Sequence, residues 1–259
     1  MKSKPINWLW YALGALYFLV PLIATFDFSL RAKKGILSFV AYERVLATPQ
    51  FYESFLFSLE MAVLTIIIGI LLVLPTVYWV QLRLPQLRPV IEFISLVPFV
   101  VPAVVLTFGL IKIYSHEPLQ LTSSPALLVA GYVVLALPYL YRSIDGGLRA
   151  IDVRTLTEAA QNLGANGATI ILRVIAPNVR VALLSGAFLT FATVMGEFTL
   201  ASLLVWPAFA PYMNLVSSSK VYEPSALAVI SFVLTWAAIG LMQLFGGRRG
   251  DSSQLAGTR

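Results

Sequence analysis

The sequence predicts an all-α, polytopic membrane protein, on the grounds of its composition, its long apolar stretches and its few charges. Of its 259 residues, 59% are hydrophobic and 12% are charged, which is too apolar for a soluble domain of ordinary composition. Six stretches approach the roughly 20 apolar residues that cross a hydrocarbon core: about 8–26, 55–79, 90–113, 125–141, 181–205 and 226–245. We therefore expect a single transmembrane domain over residues 1–259, with a polar tail at 246–259.

The individual spans carry further features. The first follows Lys2 and Lys4, is longer than a signal-peptide core and has no small-residue cleavage pattern, so we expect an uncleaved anchor. Acidic side chains lie in or near the second, third and fifth spans: Glu60, Glu92 and Glu197. Prolines inside or near the ends of the spans remove a backbone hydrogen bond and should kink the helices: Pro75, Pro98, Pro102 and Pro138.

The composition excludes several chemistries. Without cysteine, the chain has no disulfide, no thiolate metal site and no cysteine nucleophile. His116 is the one histidine; we expect a solvated loop residue there, and neither a histidine-rich metal cluster nor a hydrolytic triad. We therefore expect no catalytic residues and no bound metal. The net charge of +6 is attributed to membrane orientation and not to nucleic acid.

The basic residues predict the orientation. With the N-terminus inside, the inner segments contain twelve Lys and Arg residues and the outer segments contain six. Positive residues accumulate on the cytoplasmic side, so we expect both termini in the cytoplasm, although the outer loop at 27–54 holds four cations. The longest inner loop is then 142–180, between the fourth and fifth spans.

This cytoplasmic loop contains a polar segment broken by glycine. Thr155 and Glu158 have the spacing of a capping box, in which each side chain satisfies the other's free backbone donor, and this predicts a helix start. Gly164 should close that helix in a left-handed conformation. Asn166 should cap a second short helix that ends or bends at Pro177. The segment is thus predicted to be helix, turn, helix, held by the flanking spans or by a partner.

The same segment resembles a known motif. Glu158-Ala159-Ala160, three residues, Gly164, nine residues and then 174–177 are similar to the EAA motif of the membrane permeases of binding-protein-dependent ABC importers. The spacing is complete, and the departures are Val174 for isoleucine and Ala176 for leucine. Length, span number and loop position agree with that family.

The resemblance implies the type I ABC importer permease fold, with six transmembrane helices and a cytoplasmic coupling helix between spans four and five. It assigns to ATPase coupling a set of residues in the loop: Glu158, Ala159, Ala160, Leu163, Gly164, Asn166 and Pro177. Small alanines would allow close approach of a partner, whereas Glu158 would mainly cap its helix and could also contact the partner. Gly164 would set the angle between the two helices.

The resemblance also implies partners and a location. After Gly164 the chain has no lysine of a phosphate loop, so ATP and Mg²⁺ belong to a partner ATPase and this chain binds no cofactor. The implied partners are an ABC ATPase dimer, a second permease that is homologous or identical, and an extracytoplasmic solute-binding protein. The implied location is the bacterial cytoplasmic (inner) membrane, in the lipid bilayer.

The cargo is predicted from ionisable residues inside the spans, because such residues are costly in lipid and usually face the bundle interior or water. Glu197 and Phe198 are the first candidates for the translocation pathway, followed by Glu60 and Glu92. A structural hydrogen bond is an equal interpretation for Glu197. The acids favour a cationic or polyol-like cargo, and the second half of the chain resembles permeases of polyamine, opine and phosphonate importers, which makes spermidine or putrescine the first candidate. Phosphonate, a molybdate- or sulfate-type oxyanion and iron remain alternatives.

Two other classes of function remain open. An ion-coupled secondary transporter would use Glu197 as its ion or proton site and would favour inverted repeats, and the sequence shows no convincing repeat. A membrane scaffold would need neither the intramembrane acids nor the EAA motif.

Overall fold

The structure, a computed structural model, describes residues 4–118 and 120–246, and this part of the chain is mostly helical, which confirms the all-α prediction. Its α-helices are α1 (Lys4–Ser29), α2 (Val40–Leu46), α3 (Pro49–Arg83), α4 (Arg88–Val100), α5 (Ala103–Tyr114), α6 (Pro125–Arg149), α7 (Val153–Asn162), α8 (Gly167–Thr169), α9 (Ala176–Asn178), α10 (Arg180–Gly196), α11 (Thr199–Leu203), α12 (Phe209–Ser219) and α13 (Glu223–Gly246). A 3₁₀ turn precedes α4, and the π-helical stretch Ile170–Ile175 joins α8 to α9. The predicted tail lies outside the described residues from position 247 onward, and this includes Arg248, Arg249 and Arg259. Lys2 also lies outside the described residues.

The described chain forms two compact units. One contains residues 4–54 and 211–237, and the other contains residues 55–210 and 238–246. The expectation of a single domain over residues 1–259 stays a prediction.

The first unit contains the long apolar helix α1. Only 6% of its most apolar 18-residue stretch is buried. Three side-chain contacts join the segments of this unit. The hydroxyls of Ser29 and Tyr42 are 2.6 Å apart, and Arg44 Nη1 donates to Glu223 Oε1 at 3.1 Å. The ring of Tyr222 packs on that of Phe28 with centroids 5.1 Å apart.

The second unit is built around α6. Ser124 Oγ accepts a hydrogen bond from the backbone N–H of Ala126 at 3.2 Å, and Pro125 occupies the first turn, and together these residues begin the helix. α6 is largely apolar along its first four turns, and 61% of its most apolar 18-residue stretch is buried, so it lies inside the unit and its neighbours pack around it.

Small residues allow α10 to approach α6 closely. A Cβ on Gly147 of α6 would overlap the Cβ of Ala182, and a Cβ on Gly186 of α10 would lie 3.2 Å from a methyl group of Leu140. Helices inside a membrane associate through such close van der Waals packing, because lipid offers no hydrophobic driving force between them. The glycines therefore set the separation of these two helices.

Three described helical segments are long and apolar enough to cross a membrane: 10–29, Pro49–Arg83 and Pro125–Arg149. Two more candidates are bent pairs. The predicted third span at 90–113 is not one helix, because α4 and α5 meet at 100°. The segment Gly167–Asn178 meets α10 at 83°. The predicted fifth span at 181–205 is also interrupted, because α10 ends at Gly196. Glu223–Ala237 is a shorter apolar helix.

The break in the third span lies at Pro102. Val101 before it is extended, with φ −84° and ψ 116°, as expected for a residue that precedes proline. By contrast, α3 continues through Pro75 and α6 through Pro138. Prolines thus end a helix at one position and are accommodated within helices at others.

Candidate functional site

Helix α7, which contains the first part of the EAA motif, starts at a different cap from the predicted one. Asp152 Oδ1 accepts the backbone N–H of Thr155 at 3.1 Å, and the Thr155 hydroxyl donates to Asp152 Oδ2 at 2.8 Å. The predicted capping box between Thr155 and Glu158 is therefore wrong: Thr155 already lies within the helix. Asp152 is the stronger N-cap because its carboxylate satisfies two donors at once.

Glu158 forms an ion pair instead of a cap. Its Oε1 accepts Arg154 Nε at 2.8 Å, one helical turn away, and both side chains are more than half exposed. Such exposed pairs add little to stability. Hydrogen bonds from Thr155 lower the pKa of the Asp152 carboxyl, and the bond to Glu158 raises the pKa of Arg154. Glu158 therefore presents a carboxylate to the surface that a partner can reach.

The turn and the second short helix form as predicted. Gly164 has φ +80°, the left-handed conformation that closes α7, and its N–H donates to Gln161 O at 2.8 Å. Asn166 Oδ1 accepts Thr169 N–H at 2.9 Å, which confirms the second cap. Pro177 lies in α9, immediately before the 83° bend into α10.

The chain's own core holds the EAA segment, which we define as residues 153–178. Its inward residues belong to one buried cluster with residues of α3 and α6: Val153, Ala160, Ile170 and Ile175. Ala160 is 6% exposed, so it packs inside the chain and is not on the outer surface where a small docking residue would be useful.

A buried polar contact adds to this anchoring. Thr157 Oγ1 donates to the carbonyl of Val153 at 2.6 Å, so the hydroxyl of Tyr78 on α3, 3.1 Å away, is the donor to Thr157. Sequence reasoning did not single out either residue. These buried contacts with α3 and α6 therefore hold the EAA segment in place and leave its outer side exposed.

The outer surface of the EAA segment contains exposed apolar side chains. Leu163, the last residue before Gly164, is 88% exposed, and Leu172 is 63% exposed. The other exposed residues of the segment are mostly polar or small: Arg154, Thr155, Glu158, Ala159, Gln161, Asn162, Gly164, Asn166, Gly167, Ala168, Arg173, Pro177 and Asn178. An apolar anchor surrounded by small and polar groups is typical of a protein-binding surface.

Glu197 lies where the helix after the EAA segment ends. α10 stops at Gly196, and Glu197 is extended, with φ −77° and ψ 118°. Its carboxylate accepts the backbone N–H groups of Thr199 at 2.8 Å, Leu200 at 2.9 Å and Ala201 at 3.4 Å. These are the free donors at the start of α11, so the carboxylate satisfies a helix end that lipid could not satisfy.

The other pathway candidates lie on separate elements. Glu60 is exposed on α3, Glu92 is partly buried on α4 and Phe198 follows Glu197 directly. Among the described residues, no hydrogen bond or ion pair joins Glu60, Glu92 and Glu197. In the same unit, Trp206 stacks on Phe57 with ring centroids 5.7 Å apart.

Solved structures share the helical fold of this chain. They are crystal structures of ABC transporters, the first of them bacterial. One is involved in the import of the acidic polysaccharide alginate, with TM-score 0.72, 18% identity and coverage of 95% of this chain and 98% of that one. An amino acid ABC transporter with histidines gives TM-score 0.54 at 23% identity, covering 80% and 97%. At these identities the likeness shows the fold.

The family follows from the sequence itself. Residues 66–249 match the family described as binding-protein-dependent transport system inner membrane component, and the chain belongs to that family. The membrane character predicted from composition is therefore confirmed.

Two relatives are similar to this chain over different lengths. The chain is 27% identical to the spermidine/putrescine transport system permease protein PotB of Escherichia coli (strain K12) over 179 residues, 63% of this chain. The match spans only 64% of the length of that relative. The second is the "Probable sulfate transport system permease protein cysT" of Nephroselmis olivacea, at 25% identity over 93% of this chain and 89% of the relative.

Proposed function

We propose that this chain is the permease subunit of an ATP-driven ABC importer and that its EAA segment couples the membrane helices to the ATPase. The observation that carries the proposal is Leu163, a large apolar side chain that is 88% exposed on a segment anchored by its own buried core. Free exposure of a rigidly held leucine is costly in water, and a cleft on a partner would remove that cost.

The proposed membrane arrangement has six spans. Helices α1, α3, α6 and α13 supply four, and the bent pairs supply the third and fifth. Both termini are cytoplasmic, because this places most basic residues inside, and the EAA segment then faces the cytoplasm of a bacterial cell.

The proposed partners follow from what the chain lacks and what the family does. No phosphate loop occurs in the sequence, so a dimer of ATPase subunits would bind ATP and Mg²⁺. A second permease, homologous or identical, would complete the pathway, and a solute-binding protein would deliver the cargo. A structural neighbour, a bacterial alginate ABC transporter, was crystallised in complex with an alginate pentasaccharide-bound periplasmic protein.

A polyamine is the proposed cargo. The PotB relatives support it, and so do acidic candidates for the pathway at Glu197, Glu60 and Glu92 with Phe198 beside the first of them. An oxyanion is the second candidate, because the sulfate-permease relative matches most of the chain. The Glu197 carboxylate already accepts hydrogen bonds from three backbone N–H groups. This supports a structural role for Glu197 and weakens the case for a cationic cargo that would bind to it.

We expect Leu163→Glu to abolish co-purification of the ATPase. The full-length chain, tagged and expressed in its own host, would be extracted in mild detergent and its partners identified by mass spectrometry. The wild type should retain a protein with a G-x-x-x-x-G-K-[ST] loop. The variant should lose it, because a carboxylate cannot enter an apolar cleft without a large desolvation cost.

Leu37→Glu is the matched control, since Leu37 is also exposed, at 69%, but lies outside the EAA segment. It should retain the ATPase. If wild type co-purifies with no such protein and the isolated chain transports under an ion gradient, the chain is a secondary transporter and the proposal fails.

Uptake in proteoliposomes distinguishes the cargo classes. The reconstituted importer should accumulate radiolabelled spermidine when supplied with ATP and its binding protein, and excess putrescine should compete. Sulfate should have no effect. Accumulation of labelled sulfate without spermidine uptake would favour the oxyanion class.

A further inference from the structure

A buried carboxylate outside the EAA segment joins three helices. Asp145 of α6 is 5% exposed. Its Oδ1 accepts Gln81 Nε2 at 3.0 Å and its Oδ2 accepts Arg88 Nη2 at 3.1 Å. Arg149, one turn along α6, forms an ion pair with the same Oδ2. We call these four residues the Asp145 cluster.

The donors in the Asp145 cluster come from the ends of neighbouring helices. Gln81 is in the last turn of α3, and Arg88 is the first residue of α4. A guanidinium at a helix N-terminus is unfavourable, because the helix dipole already makes that end positive. Arg88 is two-thirds buried, so its position depends on the anion. Asp145 thus ties the start of α4 to α6.

The Asp145 cluster lies between the EAA segment and the first bent pair of helices, α4 and α5. Ile144 and Leu148, on either side of Asp145 along α6, are fully buried in the cluster of apolar residues that also holds Ala160, Ile170 and Ile175 of the EAA segment. On the other side, α4 is the first helix of the pair bent by 100°. A displacement of the EAA segment that moves α6 therefore reaches α4 through this hydrogen-bonded ion pair, together with direct packing such as that of Phe99 on Tyr139.

We propose that the Asp145–Arg88 pair is the junction that makes α4 move with α6 and the EAA segment during transport. Both are positioning residues, since they act through the helices and touch neither ATP nor cargo. This inference rests on the proposed function as an ATP-driven permease. A purely structural clamp would affect the amount of intact importer and leave the ATP used per molecule imported unchanged.

Arg88→Gln and Arg149→Gln make a matched pair of tests. Each removes one guanidinium from the same carboxylate, but only Arg88 belongs to α4. With the ATPase and binding protein reconstituted in proteoliposomes, ATP hydrolysed per spermidine imported should rise about ten-fold in Arg88→Gln, the effect of losing about 1.4 kcal/mol of coupling. If the proteoliposome assay shows uptake of sulfate and not of spermidine, labelled sulfate is used as the probe in the same measurement. Arg149→Gln should remain near the wild-type ratio, and Arg88→Lys, which keeps the charge, should restore most of the coupling.

An unchanged ratio in Arg88→Gln, or an equal rise in Arg149→Gln, would overturn the inference. Failure of the proposed function is distinguishable, because wild type would then bind no ATPase at all.

A second measurement uses the otherwise wild-type chain and so does not depend on the variants folding. Because the chain has no cysteine, Gln161→Cys and Phe93→Cys place two unique spin labels on exposed positions of the EAA segment and α4. Their distance should stay constant between the ATP-free and ADP-vanadate states of the complete importer. A change of about 5 Å, one helical turn, would show that α4 moves independently and would contradict the inference.

Discussion

Replacing Gly164 by aspartate should abolish uptake and ATPase coupling while the chain still inserts into the membrane. Gly164 has φ +80°, a conformation that costs most L-residues about 1–2 kcal/mol and aspartate less, but aspartate also adds a carboxylate beside Leu163 that is costly to desolvate against a partner. Relief of that strain would rotate the turn and misplace Leu163 beside it. We expect uptake to fall about ten-fold or more, since a loss of about 1.4 kcal/mol in coupling already gives that factor.

Gly167 supplies the control for this experiment. A Cβ would meet open space at both positions, but Gly167 does not have a positive φ. Gly164→Ala should therefore reduce uptake, and Gly167→Ala should leave it near wild type. Uptake and membrane yield would be measured together. Normal uptake by Gly164→Asp would count strongly against a coupling role for the EAA segment.

Gly147→Ala should have the largest effect on stability among the single methyl additions considered. Its Cβ would overlap the Cβ of Ala182, an atom fixed to the backbone of α10, so one of the two helices has to move. Overpacking of this kind costs about 1–3 kcal/mol. The midpoint of thermal unfolding of the purified chain in detergent should fall accordingly.

The neighbouring glycine tests whether close helix packing is the cause. Gly146 is also in α6, but a Cβ there would meet nothing within 4 Å. Gly146→Ala should stabilise the helix by about 0.5–1 kcal/mol, because alanine loses less backbone entropy than glycine. Equal destabilisation by both substitutions would show that the separation of α6 and α10 is not set at Gly147.

Local backbone conformation in the EAA segment was predictable at positions where a single residue determines it. Gly164 and Asn166 behave as the sequence predicts, because a left-handed turn and an asparagine cap each depend on a few neighbouring atoms. The start of α7 was predicted wrongly. Thr155 and Glu158 fit a capping box, but Asp152 competes for the same role, and a carboxylate that binds two donors is the better cap.

The predicted spans show a second limit. Hydropathy detects apolar stretches but does not register a change of direction within one. The stretch at 90–113 is predominantly apolar, although Val101 and Pro102 turn the chain by 100°. Pro75 is also a proline, but it lies within the continuous helix α3. The presence of a proline alone therefore does not decide whether a helix breaks.

The sequence by itself determined the helical class, the family and the position of the EAA segment, because composition and motif spacing are properties of the linear chain. The tertiary structure decided which groups meet. It placed Ala160 in the chain's own core and left Leu163 exposed, it gave Glu197 three backbone donors, and it brought Arg88 to Asp145 across 57 positions. Such pairings depend on helix packing, which follows from the shapes of many side chains together and not from any local pattern.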